Sequence, residues 1–412
     1  MRKAKGNLIQ LGGNTLFFLL ILVIMLDPTN SVLHLKNVVF ILLVGYNIVF
    51  FRPDFTYLPH ILLIFGTLFL GYVLAEMQMN AVDMEVFGGV VKGFSPLLLL
   101  LWIKHYNVLR LSFVPVLVAC LLVDVLFILA TTNEAIQLAL YTFVWAHDDM
   151  IMMSSRTILG FNIFGMYYKS MLCATFVLLC LYQRILQGSK RKLLYIIAAV
   201  IVTFAFLISG TRSPMLLPFA LFGAIAFLKI NTLRKSKYLY YPIIVLGILL
   251  FIGFVLLLAT EKGEVSNQIK TAHLRSYMEL FETHPLYLLL GQGPGTAFYS
   301  EGFHSMTYTT EWTYMELLRN YGIFSLLIFA VMVYPLTQLY KLRRDRRVAA
   351  MMFAYIFYLL IAGTNPLLIS STGMLVLLTI YSYTQRITTT GLVPVSTGLS
   401  PVKTRSNPVL TK

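Results

Sequence analysis

Charge is what this chain has least of. Only 12% of its 412 residues are Asp, Glu, Lys or Arg, about half the share of a soluble globular domain. With 58% of the residues hydrophobic, a water-soluble fold has too little polar surface to cover them, which excludes soluble enzymes and DNA-binding domains. Cysteine is scarce too. Cys120, Cys173 and Cys180 all fall inside apolar runs, and an odd number completes no disulfide framework, which excludes secreted disulfide scaffolds. No internal repeat is visible, which counts against a transporter built from two similar halves. His147-Asp148-Asp149 superficially suggests a metal site, but adjacent residues on a helix point apart and no second spaced ligand set follows, so no metal is expected there.

Long apolar runs are abundant. A run near 20 residues crosses a hydrocarbon core about 30 Å thick, and the chain predicts an all-α, polytopic membrane fold. Twelve helices are expected, roughly at 12–27, 37–51, 58–76, 87–103, 108–130, 161–183, 193–209, 214–229, 239–260, 322–340, 348–363 and 365–385. Arg2, Lys3 and Lys5 before the first run resemble a secretory signal, but no small-x-small cleavage site follows, so the run reads as a retained first helix.

Charge placement gives an independent reading. With the N-terminus inside, 23 of the 32 basic residues fall on inner segments and 14 of the 17 acidic ones on outer segments. That is the positive-inside pattern, with both termini cytoplasmic. The net charge of +15 is therefore topology and implies no nucleic-acid partner. Residues 1–387 are expected to form one transmembrane domain. The Thr/Ser/Pro/Gly-rich tail 388–412 reads as a disordered cytoplasmic end. Two outer loops are long, 131–160 and 261–321, and loops of that length in a compact protein are functional or disordered. The second carries a helical pattern at Leu274, Met278 and Phe281, a Gly/Pro-rich turn at 291–295 and another helical pattern from Trp312, and reads as ordered.

The outer face holds the residues with chemistry. Arg212 sits in Ser209-Gly210-Thr211-Arg212-Ser213-Pro214, a tight break whose proline suits the first turn of the next helix. It reads as a phosphate ligand beside helix N-terminal amides, or as a boundary arginine snorkelling to lipid headgroups. Arg275, on the 261–321 loop, reads as the second arm of a diphosphate clamp or as an ordinary solvated residue. The turn Gly291-Gln292-Gly293-Pro294-Gly295 has no following Lys-Ser/Thr and is no nucleotide P-loop; it is either a plain chain reversal or a close backbone approach to a ligand. Glu311 is placed at a helix start as a base for a hydroxyl or as a simple N-terminal residue. At helical spacing Glu316 and Arg319 form a candidate pair. His304 is a secondary acid/base candidate. Lys92, Asp124 and Lys169 fall within expected spans, in their outer halves. Intramembrane charge normally faces a partner or a watered cavity, so they predict an outward-opening polar cavity, with Asp124 and Lys169 as a candidate ion pair.

The order Ser-Gly-Thr-Arg-Ser at 209–213, Arg275, His284-Pro285-Leu286 into Gly291–Gly295, and Glu311-Trp312-Thr313-Tyr314 ending at Tyr321-Gly322 resembles the O-antigen polymerase and O-antigen ligase superfamily. The likeness covers residues 209–323, about a quarter of the chain. It implies a GT-C-type membrane-embedded glycosyltransferase of the bacterial inner membrane. The implied reaction needs no metal or cofactor and acts at the periplasmic face on undecaprenyl-pyrophosphate-linked repeat units. By that resemblance Arg212 and Arg275 would hold the donor diphosphate and Glu311 would act on the acceptor hydroxyl. Arg156, His304, Tyr314, Arg319, Lys92, Asp124 and Lys169 are expected to contribute substrate contacts. Membrane lipid and a chain-length-regulating co-polymerase are the other implied partners. Ligases often carry a His-Asn pair eleven residues before the helix glycine, where this chain has Glu311 before Gly322. That departure favours polymerase over ligase; a lipid-linked glycan flippase is the alternative outside the family.

Overall fold

The computed structural model describes residues 2–147, 150–158, 161–188, 191–229, 265–365 and 367–390, and these are mostly helical. The first half runs α1 (Arg2–Leu26), α2 (Lys36–Phe50), α3 (Leu58–Met77), α4 (Met84–Phe94) continuing as a 3-10 helix (Ser95–His105), α5 (Val108–Thr132) and α6 (Glu134–Ala146). A hairpin, β1 (Ile151–Ile158) and β2 (Phe161–Tyr168), leads through a 3-10 turn (Lys169–Cys173) into α7 (Ala174–Leu186), α8 (Lys192–Leu207) and α9 (Arg212–Lys229). After residue 264 come α10 (Val265–Thr283), α11 (Leu286–Leu290), a short hairpin β3 (Phe298–Ser300) and β4 (Ser305–Thr307), α12 (Thr313–Tyr321), α13 (Ser325–Lys341), α14 (Arg346–Ala362) and α15 (Ser371–Thr390).

Among the described residues six helices are long and apolar enough to cross a membrane: Gly6–Leu26, Phe55–Met77, Met84–His105, Val108–Thr132, Lys169–Leu186 and Thr313–Lys341. Lys36–Phe50, Lys192–Leu207 and Arg212–Leu228 are shorter apolar helices. The expected span 239–260 and most of the tail 388–412 lie outside the described residues.

The helix ends follow from local chemistry. Asp83 accepts from the Glu85 and Val86 amides to cap α4, and Asn107, Asn133 and Asp345 cap α5, α6 and α14 in the same way. Pro96, which offers no amide hydrogen, stands where α4 tightens into 3-10 geometry. α15 is the central helix: every residue from Ser371 to Thr384 is buried. It carries several hydroxyls at that depth because they bond nearby carbonyls, Thr379 to Leu375 O (2.8 Å) and Ser382 to Tyr106 O (2.7 Å).

Two antiparallel hairpins interrupt the all-helical expectation, and the sixth expected span, 161–183, is corrected. Its first eight residues are β2, paired with β1 in the register Ile151↔Tyr168 through Ile158↔Phe161. The apolar stretch Phe161–Tyr168 satisfies its backbone on a neighbouring strand, and helix begins only after the 3-10 turn.

Hydrogen bonds between connections sort them to two ends. At one end Gln10 reaches His105 O, Asp54 pairs with Lys104 at 3.5 Å and Gln385 reaches Asp54. At the other, Ser371 meets Pro28 O, Ser170 meets Met25 O, the Met166 amide meets Ile208 O and the Asp83 amide meets Gly295 O. The sequence-predicted site residues around 165–173, 208–212 and 291–313 share this second end.

Candidate functional site

The 265–321 segment is ordered around α10, and of the expected apolar stripe Phe281 is buried while Leu274 and Met278 are not. Leu274 and Met278 are exposed, whereas His273, Ser276, Tyr277 and Phe281 are inside. The buried stripe thus keeps Phe281 but takes His273 and Tyr277 in place of Leu274 and Met278, and it carries polar groups into the interior, where each needs a partner.

Arg319 supplies most of them. It is fully buried, and all five of its N–H donors are taken. Nε and Nη2 bind Glu316 Oε2 at 3.2 and 2.9 Å, Nη1 binds Gln292 Oε1 (2.6 Å) and Thr296 O (2.9 Å), and Nη2 also binds Tyr308 O (2.7 Å). Its guanidinium lies 4.6 Å from the Phe298 ring centre. The other Glu316 oxygen accepts from the Tyr277 hydroxyl and from the Thr310 amide at 2.9 Å. Burial, and after it the Glu316 carboxylate, raises the Tyr277 phenol well above its ordinary pKa. The Glu316–Arg319 pair forms as the spacing predicts. With every donor committed to protein, Arg319 is a construction residue, which corrects its expected substrate contact.

The glycine turn is docked onto this lock. Gln292 N bonds Arg319 O (2.6 Å), and the Gln78 and Asn80 side chains hold Gly291 O and Gln292 O. Gly291 has φ +80°, and a Cβ there would strike the Asn320 carbonyl. The close approach that these glycines permit is therefore to the protein's own backbone.

Beside the lock lies a polar group of different character. Glu311 stands before α12, whose N-cap is Trp312, so it is not on the helix face expected for it. It pairs with Lys270 at 3.1 Å, and both side chains keep about a third of their surface exposed (34% and 29%). The Trp312 indole donates to Lys270 O at 2.9 Å and fixes this edge of α10. His273, one turn on, is fully buried with Nδ1 2.6 Å from Ser300 Oγ, while its Nε2 has no partner. Burial lowers the His273 pKa against the opposing pull of Glu311 and Glu316, so the ring is neutral at pH 7. Tyr167, on β2, is the third member. Its buried hydroxyl also lacks a partner, and burial, then the Cys173 thiol and Glu311, raise its pKa.

Arg212 opens α9 on the same strand's flank. Met166 N bonds Ile208 O at 2.7 Å, and Gly210 (φ +63°) lies against Gly165, where a Cβ would come within 2.8 Å of its Cα. In a strand Gly165 and Tyr167 project to one face, so the Arg212 turn and the Tyr167–Glu311–His273 group adjoin β2. Arg212 is half-buried. Arg275 lies elsewhere on α10: two residues beyond His273 it points about 200° away, exposed and paired with Glu301 at 3.4 Å.

The remaining expected residues are dispersed. Asp124 is buried and its Oδ1 has no partner; no ion pair joins it to Lys169 among the described residues, which corrects the expected pair. Lys169, half-buried, starts the 3-10 turn, and Lys92 is exposed near the end of α4. His304 is exposed at the β3–β4 turn with φ +51°. The Tyr314 hydroxyl donates to Leu359 O at 2.6 Å and holds α12 against α14. Arg156 lies on β1 opposite Ile163, and its side chain lies outside the described residues. Sequence reasoning missed His273 and Tyr167; a histidine and a tyrosine at i and i+4 on α10, His273 and Tyr277, were the available signal for the first. No protein-family model, curated protein or solved structure matches the chain.

Proposed function

We propose that this chain is a polytopic inner-membrane glycosyltransferase of the O-antigen polymerase type, joining undecaprenyl-pyrophosphate-linked repeat units at the periplasmic face. The observation that carries the reading is the polar group at one end of the bundle. The carboxylate of Glu311 acts electrostatically on Tyr167 and His273, whose buried Oη and Nε2 atoms have no hydrogen-bond partner among the described residues, with the Arg212 turn adjoining β2. Such atoms cost free energy unless a ligand satisfies them. Twelve spans with both termini cytoplasmic accommodate the two-ended sorting of the connections and put this group outside.

In the proposed reaction the acceptor hydroxyl oxygen attacks the donor anomeric carbon as Glu311 takes its proton. The bond from that carbon to the diphosphate oxygen breaks, and its electron pair leaves with undecaprenyl pyrophosphate, with inversion for direct attack. Arg212 stabilises the departing charge. Arg275, on another face of α10 and paired with Glu301, has no part in this step. No step needs a metal or cofactor. A chain-length-regulating co-polymerase and membrane lipid are the proposed partners.

The test is lipopolysaccharide from a strain lacking the gene, complemented with variants. Single-repeat product in the deletion strain, with long chains restored by wild type but not by Arg212→Ala or Glu311→Gln present at wild-type levels, is the expected result. Unmodified core in the deletion strain would instead assign a ligase. Normal ladders from both variants would end the mechanism.

A further inference from the structure

At the end opposite this site, the close of α7, the close of α9 and the start of α14 enclose a cavity of about 210 Å³. Gln183, Gln187, Arg346 and Arg347 line it together with Leu186, Ile225, Leu228 and Ala350. Neither guanidinium has an ion-pair partner among the described residues; the only carboxylate nearby in sequence, Asp345, caps the Arg347 amide at 2.7 Å. The stretch 341–347 carries Lys341, Arg343, Arg344, Arg346 and Arg347 against that one acid. Leu186 also lines a second space, an apolar groove of about 400 Å³ between α7, α8 and α9 walled by Ile185, Val200, Phe204, Leu207 and Phe222. A largely apolar chamber bordered by Arg346 and Arg347 therefore shares the wall at Leu186 with an apolar groove along the helices.

We infer that this is a binding site for an anionic phospholipid, its phosphate held by Arg346 and Arg347 and one acyl chain laid in the α7–α8–α9 groove. Two arginines bordering an apolar chamber with an apolar groove next to it select a lipid over free phosphate: a soluble anion uses the arginines and gains nothing from the apolar surfaces. Basic pockets between membrane helices bind acidic headgroups for this reason, each arginine near the surface contributing a factor of several in affinity. The lipid would tie α14 to α7 and α9.

Native mass spectrometry of the purified full chain, exchanged into dioleoylphosphatidylglycerol or dioleoylphosphatidylcholine, tests this. Wild type is expected to retain phosphatidylglycerol preferentially, and Arg346→Gln/Arg347→Gln to bind it roughly 30-fold more weakly. Arg343→Gln/Arg344→Gln removes two neighbouring charges outside the chamber, Arg343 being stacked on Tyr340 at 3.7 Å, and should bind as wild type does. Val200→Trp, at an exposed groove position, should weaken the lipid. Equal retention of the two lipids, or equal losses from the two arginine pairs, would overturn the site in favour of general surface charge. Inorganic phosphate stabilising the protein as well as the lipid does, with Val200→Trp neutral, would overturn the lipid as occupant.

Discussion

Replacing Arg319 by Met should open the outer segment without unfolding the bundle. The guanidinium makes five contacts of 2.6–3.2 Å from a site with no solvent exposure. Methionine leaves the Glu316 carboxylate buried with only the Tyr277 hydroxyl and the Thr310 amide, and strands the acceptors on Gln292, Thr296 and Tyr308. Breaking a buried pair from one side costs about 3–5 kcal/mol, which raises the opening equilibrium by roughly two to three and a half orders of magnitude. Hydrogen exchange followed by mass spectrometry reads this directly, because the amides of 291–296 and 308–313 exchange through local opening. Adding Glu316→Gln removes the orphan charge, so the double variant should cost less than the sum of the singles by about 1–3 kcal/mol. Exchange unchanged in Arg319→Met, or additive costs in the cycle, would refute the account of Arg319 as the lock.

Three further outcomes follow from the same geometry. The folded His273 pKa lies below the unfolded value of about 6.5, so the unfolded chain binds more protons there and loop stability should fall as pH drops through 6.5; thermal unfolding from pH 8 to 5 checks this, and His273→Gln should flatten the dependence. Gly291→Ala meets the Asn320 carbonyl at φ +80° and should destabilise by at least the roughly 1–3 kcal/mol of a strained residue, whereas Gly66→Ala, mid-helix with open space around it, should stabilise by up to about 1 kcal/mol; melting temperatures of opposite sign are the readout. Tyr167→Phe removes a buried hydroxyl with no partner, so stability should hold or rise while chain elongation falls; loss of both together would make Tyr167 structural.

The parts of this molecule that read well from sequence are those fixed by length or by near neighbours along the chain. Runs such as 58–76 and 108–130 needed only enough apolar residues to form a helix, and Glu316–Arg319 needed only three residues of spacing. The hairpin was illegible because Phe161–Tyr168 is apolar apart from Asn162 and Gly165, and so short an apolar run has no period to separate strand from helix. The Asp124–Lys169 pair failed because depth along a helix says nothing about the direction a side chain faces. On α10 the apolar pattern pointed to Leu274, Met278 and Phe281; the structure buries Phe281 but sets His273 and Tyr277 inside in place of the other two. A hydrophobicity pattern assumes the partner surface is greasy; here it is Ser300, Thr310 and Glu316, and polar groups win the inside because hydrogen bonds meet them there.

That same accounting separates construction from function at this end of the protein. Arg319, Glu316, Tyr277, Thr310 and Gln292 bond to one another and to backbone, a closed network of the kind that rigidifies. Glu311 keeps a third of its surface open, and Tyr167 Oη and His273 Nε2 are buried with no hydrogen-bond partner among the described residues. Asn320 Oδ1 and Tyr321 Oη in the same frame are also buried without a hydrogen bond among the described residues, at about 1–3 kcal/mol apiece, so what sets the first group apart is the partly exposed Glu311 carboxylate. Natural proteins depart from local consistency chiefly at functional sites. The closed network holds the 291–321 frame still; on the function proposed above, the open atoms beside it are where a substrate hydroxyl or phosphate would sit.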